Sequence, residues 1–376
     1  MKQKRFSAIA LILTAAVTVV CTVAAVALTA WLRLGPGGFA VLESVELIRG
    51  RFVGPYDEEE VIDAALNAAV TALDDRWSGY LNAKDYADML QRRSNSYVGV
   101  GLTYTAAEDG TYMDIVAVTP GGPAQQAGLQ AGWRITAING QSLNAENFDD
   151  LVGQIGSESG KETVFTVLDD SGKSREIRVQ ATQVQSQSVE YKMLENDVGY
   201  VRLFNFYAGS AQNAKDAVDD LVAQGARGLL FDVRANPGGY VDELTDLLDY
   251  LLPEGPIFTE HSKDGPVRTV ESDEACVDLP MAVLIDADSY SAAELFAAQL
   301  RESVSVPLIG AQTCGKGYYQ QAFGLPNGGG LNLSTGMYAT GGGTSLIGTG
   351  LIPDVVETDA QAQLDKAVAA LEERLG

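Results

Sequence analysis

The residue that first suggests chemistry in this 376-residue chain is Ser291, in the stretch MAVLIDADSYSAAELFAAQL. Apolar residues typical of a buried strand run into a short polar turn and then an apolar-rich helix. Ser291 and Glu294 fit a helix capping box, in which each side chain satisfies a free backbone N–H of the first turn. A serine at a helix N-terminus also has an exposed hydroxyl beside free N–H groups, which acyl transfer requires. This stretch alone leaves both interpretations open.

A base that can activate this serine is Lys316, in GAQTCGKGYYQQ. A Ser–Lys pair is a recognised form of nucleophilic catalysis, provided that burial lowers the pKa of the lysine toward neutrality. The chain contains a single histidine, His261, in a polar, turn-like stretch, so a Ser-His-Asp triad is not expected. An ordinary loop cation between glycines is the competing interpretation of Lys316.

A third element is the turn Asn236-Pro237-Gly238-Gly239, which ends a predicted strand and precedes a predicted helix. Paired glycines leave backbone N–H groups unscreened by side chains, which an oxyanion hole needs. A tight strand-to-helix turn without chemistry explains the same residues equally well. No group of His, Cys and carboxylate residues shows metal-ligand spacing, and no glycine cluster forms a phosphate or dinucleotide fingerprint. The sequence therefore predicts no metal and no cofactor.

In combination these motifs are more specific. The ordered set NPGG, SYSAAE, GKGYYQ and GTGLIPD resembles the carboxyl-terminal processing peptidases, also called tail-specific proteases. Upstream, ALDDRWSGYL and YVGVGL resemble that family's helical lead-in and the start of its PDZ domain, so the likeness covers residues 55–360. The resemblance implies an α/β fold with a layered ββα-type core, shared with crotonases and Clp proteases. It also implies a serine endopeptidase that works through an acyl-enzyme.

The resemblance implies a role for each reacting side chain. Ser291 falls at the position of the nucleophile, with Ser289 and Glu294 as the first serine and the closing carboxylate of its motif. Lys316 falls at the position of the general base. Gln320, four residues on, matches the glutamine that orients the lysine.

Backbone groups complete the site that the resemblance implies. The N–H groups of Gly238 or Gly239, together with that of Ala292, are expected to form the oxyanion hole. The chain departs from the family pattern at Ala293, where a serine is frequent, and at Cys314, where an aromatic residue is common. Neither departure removes a reacting atom, so peptidase activity stays the expectation and the fine specificity stays open.

Residues 97–180 resemble a PDZ domain, mainly through GPAQQAGLQAGWRITAING. Phe148, Leu151, Val152 and Ile155 recur at i, i+3, i+4 and i+7, which predicts one face of a helix. The resemblance implies that a peptide C-terminus adds as a strand between VGVGLTY and this helix. Trp133 stands where such domains usually carry aspartate, and a PDZ domain that binds no peptide is the alternative. The predicted peptide contacts are Val98, Gly99, Val100, Gly101, Leu102, Phe148, Leu151 and Val152.

The N-terminal segment predicts a membrane location. Phe6 to Leu32 contains no charged residue and exceeds the roughly 20 residues that span a bilayer as a helix. Lys2, Lys4 and Arg5 precede it, so the positive-inside rule keeps that end cytoplasmic and the rest of the chain extracytoplasmic. A cleaved signal peptide, which would make the protein secreted, is the alternative.

Four segments follow from this pattern: a cytoplasmic tip and transmembrane anchor (1–40), a helical segment (41–93), a PDZ domain (94–183) and a Ser-Lys peptidase core (184–376). Asp57 is the predicted N-cap of a helix with an apolar stripe, which is consistent with a homodimer through residues 41–93. Outside the cytoplasm cysteines can pair, so a disulfide between Cys276 and Cys314 is a hypothesis, with two free thiols as the alternative.

Composition limits the partners. Acidic residues outnumber basic ones 50 to 26, for a formal charge of −24, which argues against a nucleic-acid surface. The expected partners are proteins or peptides with free C-terminal tails, and the membrane through the N-terminal helix. Two other classes stay open at this point: a catalytically inactive PDZ adaptor on the cell surface, and a crotonase-like acyl-CoA enzyme.

Overall fold

A computed structural model describes residues 8–156, 158–263 and 265–375 of the chain. Its contacts separate two units, which divide between Ala69 and Val70. The first unit is helical, with α1 (Ala8–Arg51) and α2 (Glu58–Thr71). In the part of α1 from Ile12 onward the helix is long and apolar enough to cross a membrane, a test that a signal sequence also passes.

Two local features of the first unit are the N-cap of α2 and a kink in α1. The Oδ1 atom of Asp57 accepts hydrogen bonds from the N–H groups of Glu59 (2.8 Å) and Glu60 (3.3 Å), so the predicted N-cap of α2 is confirmed. In α1, Gly35 has a φ of 58° and precedes Pro36, which cannot donate a helical hydrogen bond. This pair kinks the helix.

The predicted helical segment 41–93 is only partly helical. It includes the end of α1 and the whole of α2 and α3 (Ala83–Arg93), but residues Gly79–Leu81 form a strand, β1. This strand pairs with residues Gly330–Asn332, which lie about 250 positions further along the chain. A sequence pattern read locally cannot show such a partner.

The PDZ region has its own core. An antiparallel sheet in the order β3-β4-β5-β7-β8 packs with short helices around a cluster of buried apolar residues between Val100 and Ala181. Its first strand, β3, lies at the sheet edge with mostly exposed side chains. The elements are β2 (Ser96–Gly99), β3 (Leu102–Ala106), β4 (Met113–Val118), α4 (Pro123–Gln126), β5 (Arg134–Ile138), β6 (Gln141–Ser142), α5 (Phe148–Val152), β7 (Glu162–Leu168), β8 (Ser174–Gln180) and β9 (Thr182–Gln185).

The following region is built on a sheet in the order β10-β11-β12-β15-β16-β19, parallel except for β10. Strands β12 and β15, GLLFD and MAVLI, are buried at every position, as expected for central parallel strands covered on both faces. The elements are β10 (Val189–Met193), β11 (Val198–Leu203), α6 (Ser210–Ala223), β12 (Gly228–Asp232), α7 (Val241–Leu251), β13 (Gly255–Ser262), β14 (Arg268–Ser272), β15 (Met281–Ile285), α8 (Ala292–Val304), β16 (Leu308–Gly310), β17 (Tyr318–Gly324), β18 (Gly330–Thr340), β19 (Val355–Val356) and α9 (Ala360–Leu375).

These elements form layers. One face of the parallel sheet packs on α9, through a buried cluster that includes Leu230 and Leu371. The other face packs on α6, α7 and α8, and the same core reaches the antiparallel sheet of β1, β18, β13 and β14, with β17 beside β18. This layered α/β arrangement agrees with the predicted fold class.

An aromatic cluster anchors α8 to the sheet. The ring of Phe296 lies 5.4 Å from that of Phe231 on β12 and 5.7 Å from that of Phe206. We expect Phe296→Ala to lower the free energy of unfolding by about 3–5 kcal/mol, because the substitution leaves a cavity among fully buried rings. Urea titration followed by near-UV circular dichroism measures the change. Phe323→Ala, at a side chain that is 44% exposed, is the control, and an equal loss in both variants would contradict the assignment.

Candidate active site

Two loops meet where the adjacent parallel strands β12 and β15 end. Asn236, fully buried in the first loop, accepts a hydrogen bond from Tyr290 N–H through its main-chain carbonyl (2.9 Å). Its side-chain amide donates to the carbonyl of Leu203 (2.8 Å). From the second loop, Ser289 Oγ donates to the carbonyl of Val233 (2.8 Å). These bonds join the NPGG turn to the serine motif, so Ser289 has a structural position.

Ser291 occupies a strained backbone conformation at the N-cap of α8. Its φ of 55° and ψ of −116° lie in a region that residues with a side chain rarely adopt. Strain of this kind is found at functional sites, where the surrounding structure maintains it. The conformation places Ser291 in the wall of a cleft.

The carboxylate of Glu294 accepts hydrogen bonds from both loops of the site. It is fully buried, and its Oε2 atom accepts hydrogen bonds from the N–H groups of Ser291 and Lys316, both at 2.9 Å. Its Oε1 atom accepts from Gly315 N–H (2.7 Å) and from the Thr313 hydroxyl (2.5 Å). One side chain therefore fixes the serine and the lysine turn against each other. The bond from Ser291 N–H is the glutamate half of the predicted capping box.

Tyr338 is a second residue shared by the serine and the lysine turn, and the sequence motifs did not predict it. Its buried hydroxyl donates to the carbonyl of Lys316 (2.5 Å) and lies 3.2 Å from Ser291 Oγ. Because a phenol has one hydrogen, its oxygen can accept from the serine hydroxyl while it donates to the carbonyl. Burial raises the pKa of Tyr338, so the phenol stays neutral.

Lys316 lies in the same cleft but is not bonded to the serine. Burial lowers the pKa of its amine below the ordinary value, and the charge of Arg93 lowers it further, while Cys314, Glu294 and Asp75 act in the opposite direction. Its Nζ lies 5.0 Å from the centre of the Trp77 ring, a cation–π distance. Within the described residues, no hydrogen bond joins Lys316 Nζ to Ser291.

Gln320 lies four residues beyond the lysine on β17 and lines the cleft. Its amide nitrogen donates to the carbonyl of Tyr318 (3.0 Å) and to the Ser334 hydroxyl (3.2 Å). Among the hydrogen bonds of the described residues, none connects Gln320 to Lys316. The amide nitrogen of Gln320 is thus bonded to β17 and β18. Its amide oxygen is available to accept a hydrogen bond.

The two glycines of the turn differ in what their N–H groups do. Gly238 N–H donates to the side-chain oxygen of Asn236 (2.8 Å), so it is not free to bind an oxyanion. No acceptor bonds the N–H groups of Gly239 and Ala292 in the described structure. Gly239 also requires glycine, because a Cβ there would collide with the carbonyl of Phe206. Of the predicted pair, Gly239 is therefore the glycine that fits.

A cleft of about 610 Å³ brings these groups together. Its apolar floor is formed by residues such as Leu244, Phe258 and Leu295, beside Ser291 and Lys316. Such a lining excludes water and strengthens the electrostatic effects of the polar groups. In the part of the chain that the structure describes, no cluster of three or more His, Cys, Asp or Glu residues could bind a metal ion.

The predicted peptide groove of the PDZ region corresponds to a separate cavity of about 240 Å³. Val152 and Ile155 line one side, and the loop Val98–Leu102 lines the other. Two predicted contacts lie elsewhere: Leu151 is buried in the PDZ core, and Phe148 packs against that core outside the cavity. The helix α5 ends at Val152, one turn earlier than the apolar spacing suggested, so Ile155 follows it in a turn.

The hypothesised disulfide is not formed. Cys276 and Cys314 are both free thiols in the structure. Cys276 borders a cavity beside Pro253 and Arg374. Cys314 lies at the active-site turn, where its Sγ is 3.6 Å from a guanidinium nitrogen of Arg76. The two thiols thus belong to different neighbourhoods, which sequence separation alone could not show.

Comparisons with known proteins identify the class to which this fold and site belong. Residues 197–357 match the model of peptidase family S41, and residues 115–169 match a PDZ domain. The protein therefore has an S41 peptidase domain and a PDZ domain, and it is a serine peptidase. The resemblance to carboxyl-terminal processing peptidases is confirmed, and the adaptor and acyl-CoA enzyme classes are set aside.

Individual relatives agree with this assignment. The chain is 27% identical over 315 residues to the carboxy-terminal processing protease CtpA of Bacillus subtilis, covering 83% of this chain and 67% of the relative. It is 29% identical over 322 residues to a carboxy-terminal-processing protease of Bartonella bacilliformis, covering 83% and 73%. The structure of a photosystem II D1 C-terminal processing protease has a TM-score of 0.50 at 23% identity, over 92% of this chain and 96% of that one. That structural likeness supports the fold.

The role of Glu294 predicts the result of Glu294→Gln. The amide nitrogen cannot accept hydrogen bonds, so at least one buried N–H that now binds the carboxylate would lose its acceptor. We expect a loss of about 2 kcal/mol of stability and a fall in peptidase activity of about 100-fold, because the serine and lysine turns are no longer fixed together. Thermal unfolding and peptide cleavage measure the two effects.

Glu302→Gln is the matched control for this prediction. Glu302 lies on the same helix, and its carboxylate also accepts hydrogen bonds, among them one from the Thr340 hydroxyl (2.6 Å), but it does not contact Ser291. We expect this variant to keep its activity. Equal activity losses in the two variants would show that α8 as a whole, rather than Glu294, is responsible.

Proposed function

We propose that the protein is a membrane-anchored serine endopeptidase with Ser291 as its nucleophile and Lys316 as its general base. The main support is that Ser291 and the Lys316 turn share two buried partners, the carboxylate of Glu294 and the hydroxyl of Tyr338. A pair of loops bonded in this way keeps the nucleophile and the base turn in one cleft. The match of residues 197–357 to peptidase family S41 agrees with this proposal.

In the acylation step, Ser291 Oγ forms a bond to the scissile carbonyl carbon while the amine of Lys316 takes the hydroxyl proton. The carbonyl oxygen becomes an oxyanion, which the free N–H groups of Gly239 and Ala292 can bind. The C–N bond then breaks, and the lysine ammonium gives its proton to the leaving amine. Water attacks the resulting ester with the same lysine as base, which releases the acid and restores Ser291.

The base must move before this sequence can begin. Lys316 Nζ lies over the ring of Trp77 and, among the described residues, makes no hydrogen bond to Ser291. Catalytic hydrogen bonds are often formed only in the substrate complex. We propose that the bound peptide displaces the amine toward Ser291, where the free amide oxygen of Gln320 accepts one of its hydrogens.

Substitutions at the two reacting residues test this mechanism. We expect Ser291→Ala and Lys316→Ala each to reduce cleavage of an unfolded protein substrate by at least about 10³-fold, with unchanged thermal unfolding. Lys316→Arg keeps a long cationic side chain that cannot deprotonate, so it should be as inactive as the alanine variant. Substantial cleavage by any of the three would contradict the dyad.

The lowered pKa of Lys316 predicts the pH dependence. The neutral amine is the active form, so kcat/KM should rise with pH as Lys316 loses its proton. Because burial and Arg93 lower this pKa, the rise should lie below pH 10.5, the ordinary value for lysine. A pH profile of kcat/KM for a peptide without ionisable groups measures it, and a profile that is flat throughout would exclude lysine as the base.

We also propose that the PDZ domain binds C-terminal tails of proteins and delivers them to the peptidase core. The edge strand β3 leaves its outer backbone groups open to an added strand. At the closed end of the groove, no hydrogen bond among the described residues uses the N–H groups of Val100 and Gly101. Those groups can bind a terminal carboxylate.

A substitution in the groove tests tail binding. Val152→Glu places a negative charge in the apolar wall, which fills the groove and repels a carboxylate, so binding of a peptide with a free C-terminus should weaken by at least about tenfold. Fluorescence anisotropy with a labelled peptide measures it. Val116→Glu, on the 55% exposed side chain of β4, is the control. Equal affinity in the parent protein and the Val152 variant would argue against the groove.

The apolar part of α1 is proposed as an uncleaved anchor. Lys2, Lys4 and Arg5 would stay cytoplasmic, with the PDZ and peptidase regions outside. Leu42, Leu47 and Phe52 are exposed, which keeps a homodimer through this segment as a hypothesis. Protease protection in intact cells and cross-linking test the orientation and the dimer.

A further inference from the structure

The catalytic cleft contains a second positively charged side chain, which takes part in no bond-making step although its charge lowers the pKa of Lys316. Arg93, the last residue of α3, lines the cleft together with Ser291 and Lys316. Its side chain is half-buried, and its main-chain carbonyl accepts a hydrogen bond from Ala208 N–H (3.1 Å), which fixes the backbone there. Among the described residues that line this cleft, only Arg93 and Lys316 are basic.

Arg93 has no counter-ion among the residues that the structure describes. No ion pair or side-chain hydrogen bond of the described residues includes its guanidinium, although acidic residues outnumber basic ones 50 to 26. Arginines elsewhere do pair, as in Arg134–Asp114 (2.7 Å) and Arg178–Glu162 (2.7 Å). The lack of an ion pair does not by itself set Arg93 apart, since Arg92 also has none among the described residues. What distinguishes Arg93 is that its guanidinium lies without an acidic partner in the cleft of Ser291 and Lys316, where an acidic group of a bound peptide can reach it.

The two carboxylates that line the cleft do not supply that partner. Glu260 pairs with Arg268 (2.8 Å), and Asp242 lies in the first turn of α7, where the helix dipole favours a negative charge. The ion pairs of the described chain place neither of them within 4.0 Å of Arg93. Lys316 cannot substitute for Arg93 as a binding cation, because its amine must be neutral to act as base.

The position of Arg93 at a helix C-terminus offers a simpler explanation, since cations are favoured there. Its neighbour Arg92 shares that position and therefore that benefit. The two side chains diverge, however: Arg92 borders a different cavity, beside Asp88 and Ser186, whereas Arg93 faces the reacting groups. Arg92 therefore provides a matched control.

We propose that Arg93 is a specificity residue that binds a carboxylate of the peptide substrate close to the scissile bond. A guanidinium presents paired N–H donors that match the two oxygens of a carboxylate. The substrate class is thus a peptide with an acidic side chain, or with its own C-terminus, within a few residues of the cleaved bond. This inference rests on the proposed peptidase function.

The test is a scan of matched peptides by the full-length protein in detergent. Each peptide has an amidated C-terminus and differs only by Asp or Asn at one position, from four residues before to four after the scissile bond. We expect at least one position at which Asp raises kcat/KM about tenfold over Asn. The ratio should fall to about one in Arg93→Gln and be partly restored in Arg93→Lys.

A second arm separates the two sources of carboxylate. An otherwise neutral peptide is compared with a free and with an amidated C-terminus, with the scissile bond progressively nearer the end. If the free terminus alone gives the tenfold preference, the bound group is the C-terminus. If only the Asp scan gives it, the bound group is a side chain, and either result supports the proposal.

Controls make the outcomes distinct. Arg92→Gln should keep the preference of the parent protein, and thermal unfolding of all variants excludes a folding defect as the cause. Cleavage without any acidic preference, or a preference that persists in Arg93→Gln, would overturn the inference but not the peptidase assignment. Absence of cleavage that depends on Ser291 would overturn the proposed function, and the inference with it.

Discussion

The site depends on one buried carboxylate. Glu294 is removed from water, which is costly for a charge unless its oxygens are well bonded. Here four donors surround it: three main-chain N–H groups and the Thr313 hydroxyl. Hydrogen bonds to a charged acceptor are the stronger kind, and they are stronger still where water is excluded. This side chain therefore connects the loop after β15 to the loop before β17.

This connection fixes main-chain positions more firmly than side-chain positions. The N–H groups of Gly239 and Ala292 and the backbone of Ser291 are set by buried bonds, whereas the amine of Lys316 rests against an aromatic ring. A cation–π contact contributes about 0.5–2 kcal/mol, comparable with a hydrogen bond to a hydroxyl. The amine can therefore exchange one partner for the other at small cost. The backbone N–H groups that would stabilise an oxyanion are therefore fixed in advance. The amine of Lys316, which accepts the proton, is the group that can move.

The sequence predicted the parts of the site that lie within motifs. Ser291 and Lys316 line one cleft, the strand predicted before the NPGG turn is β12, and the helix that Asp57 caps is α2. What it could not predict depends on long-range geometry. The sequence cannot show which of Gly238 and Gly239 has a free N–H group. The structure shows that the N–H of Gly238 is bonded to Asn236.

Other residues of the site were missed because nothing local marks them. Tyr338 lies in LNLSTGMYAT, an ordinary strand sequence, and reaches the serine because β18 lies beside the lysine turn. Trp77 and Arg93 lie before the PDZ domain, far along the chain from Ser291 and Lys316. Strand β1 was missed for the same reason, since its pairing partner is β18. Whether an arginine lacks an ion pair can be seen only when the positions of the carboxylates around it are known.

The buried hydrogen bonds around Ser291 hold this residue in its strained conformation. A positive φ at a residue with a side chain costs about 1–3 kcal/mol, so the native bonds must offset it. The N–H of Ser291 bonds to Glu294, and the N–H of Tyr290 bonds to Asn236, so the two peptide groups that lead into the strained residue are both held. A relaxed helical N-cap would satisfy the first turn of α8 without this cost. The strained one turns the serine hydroxyl toward the cleft beside Ala292 N–H, so capping and nucleophilic placement are served by the same residue.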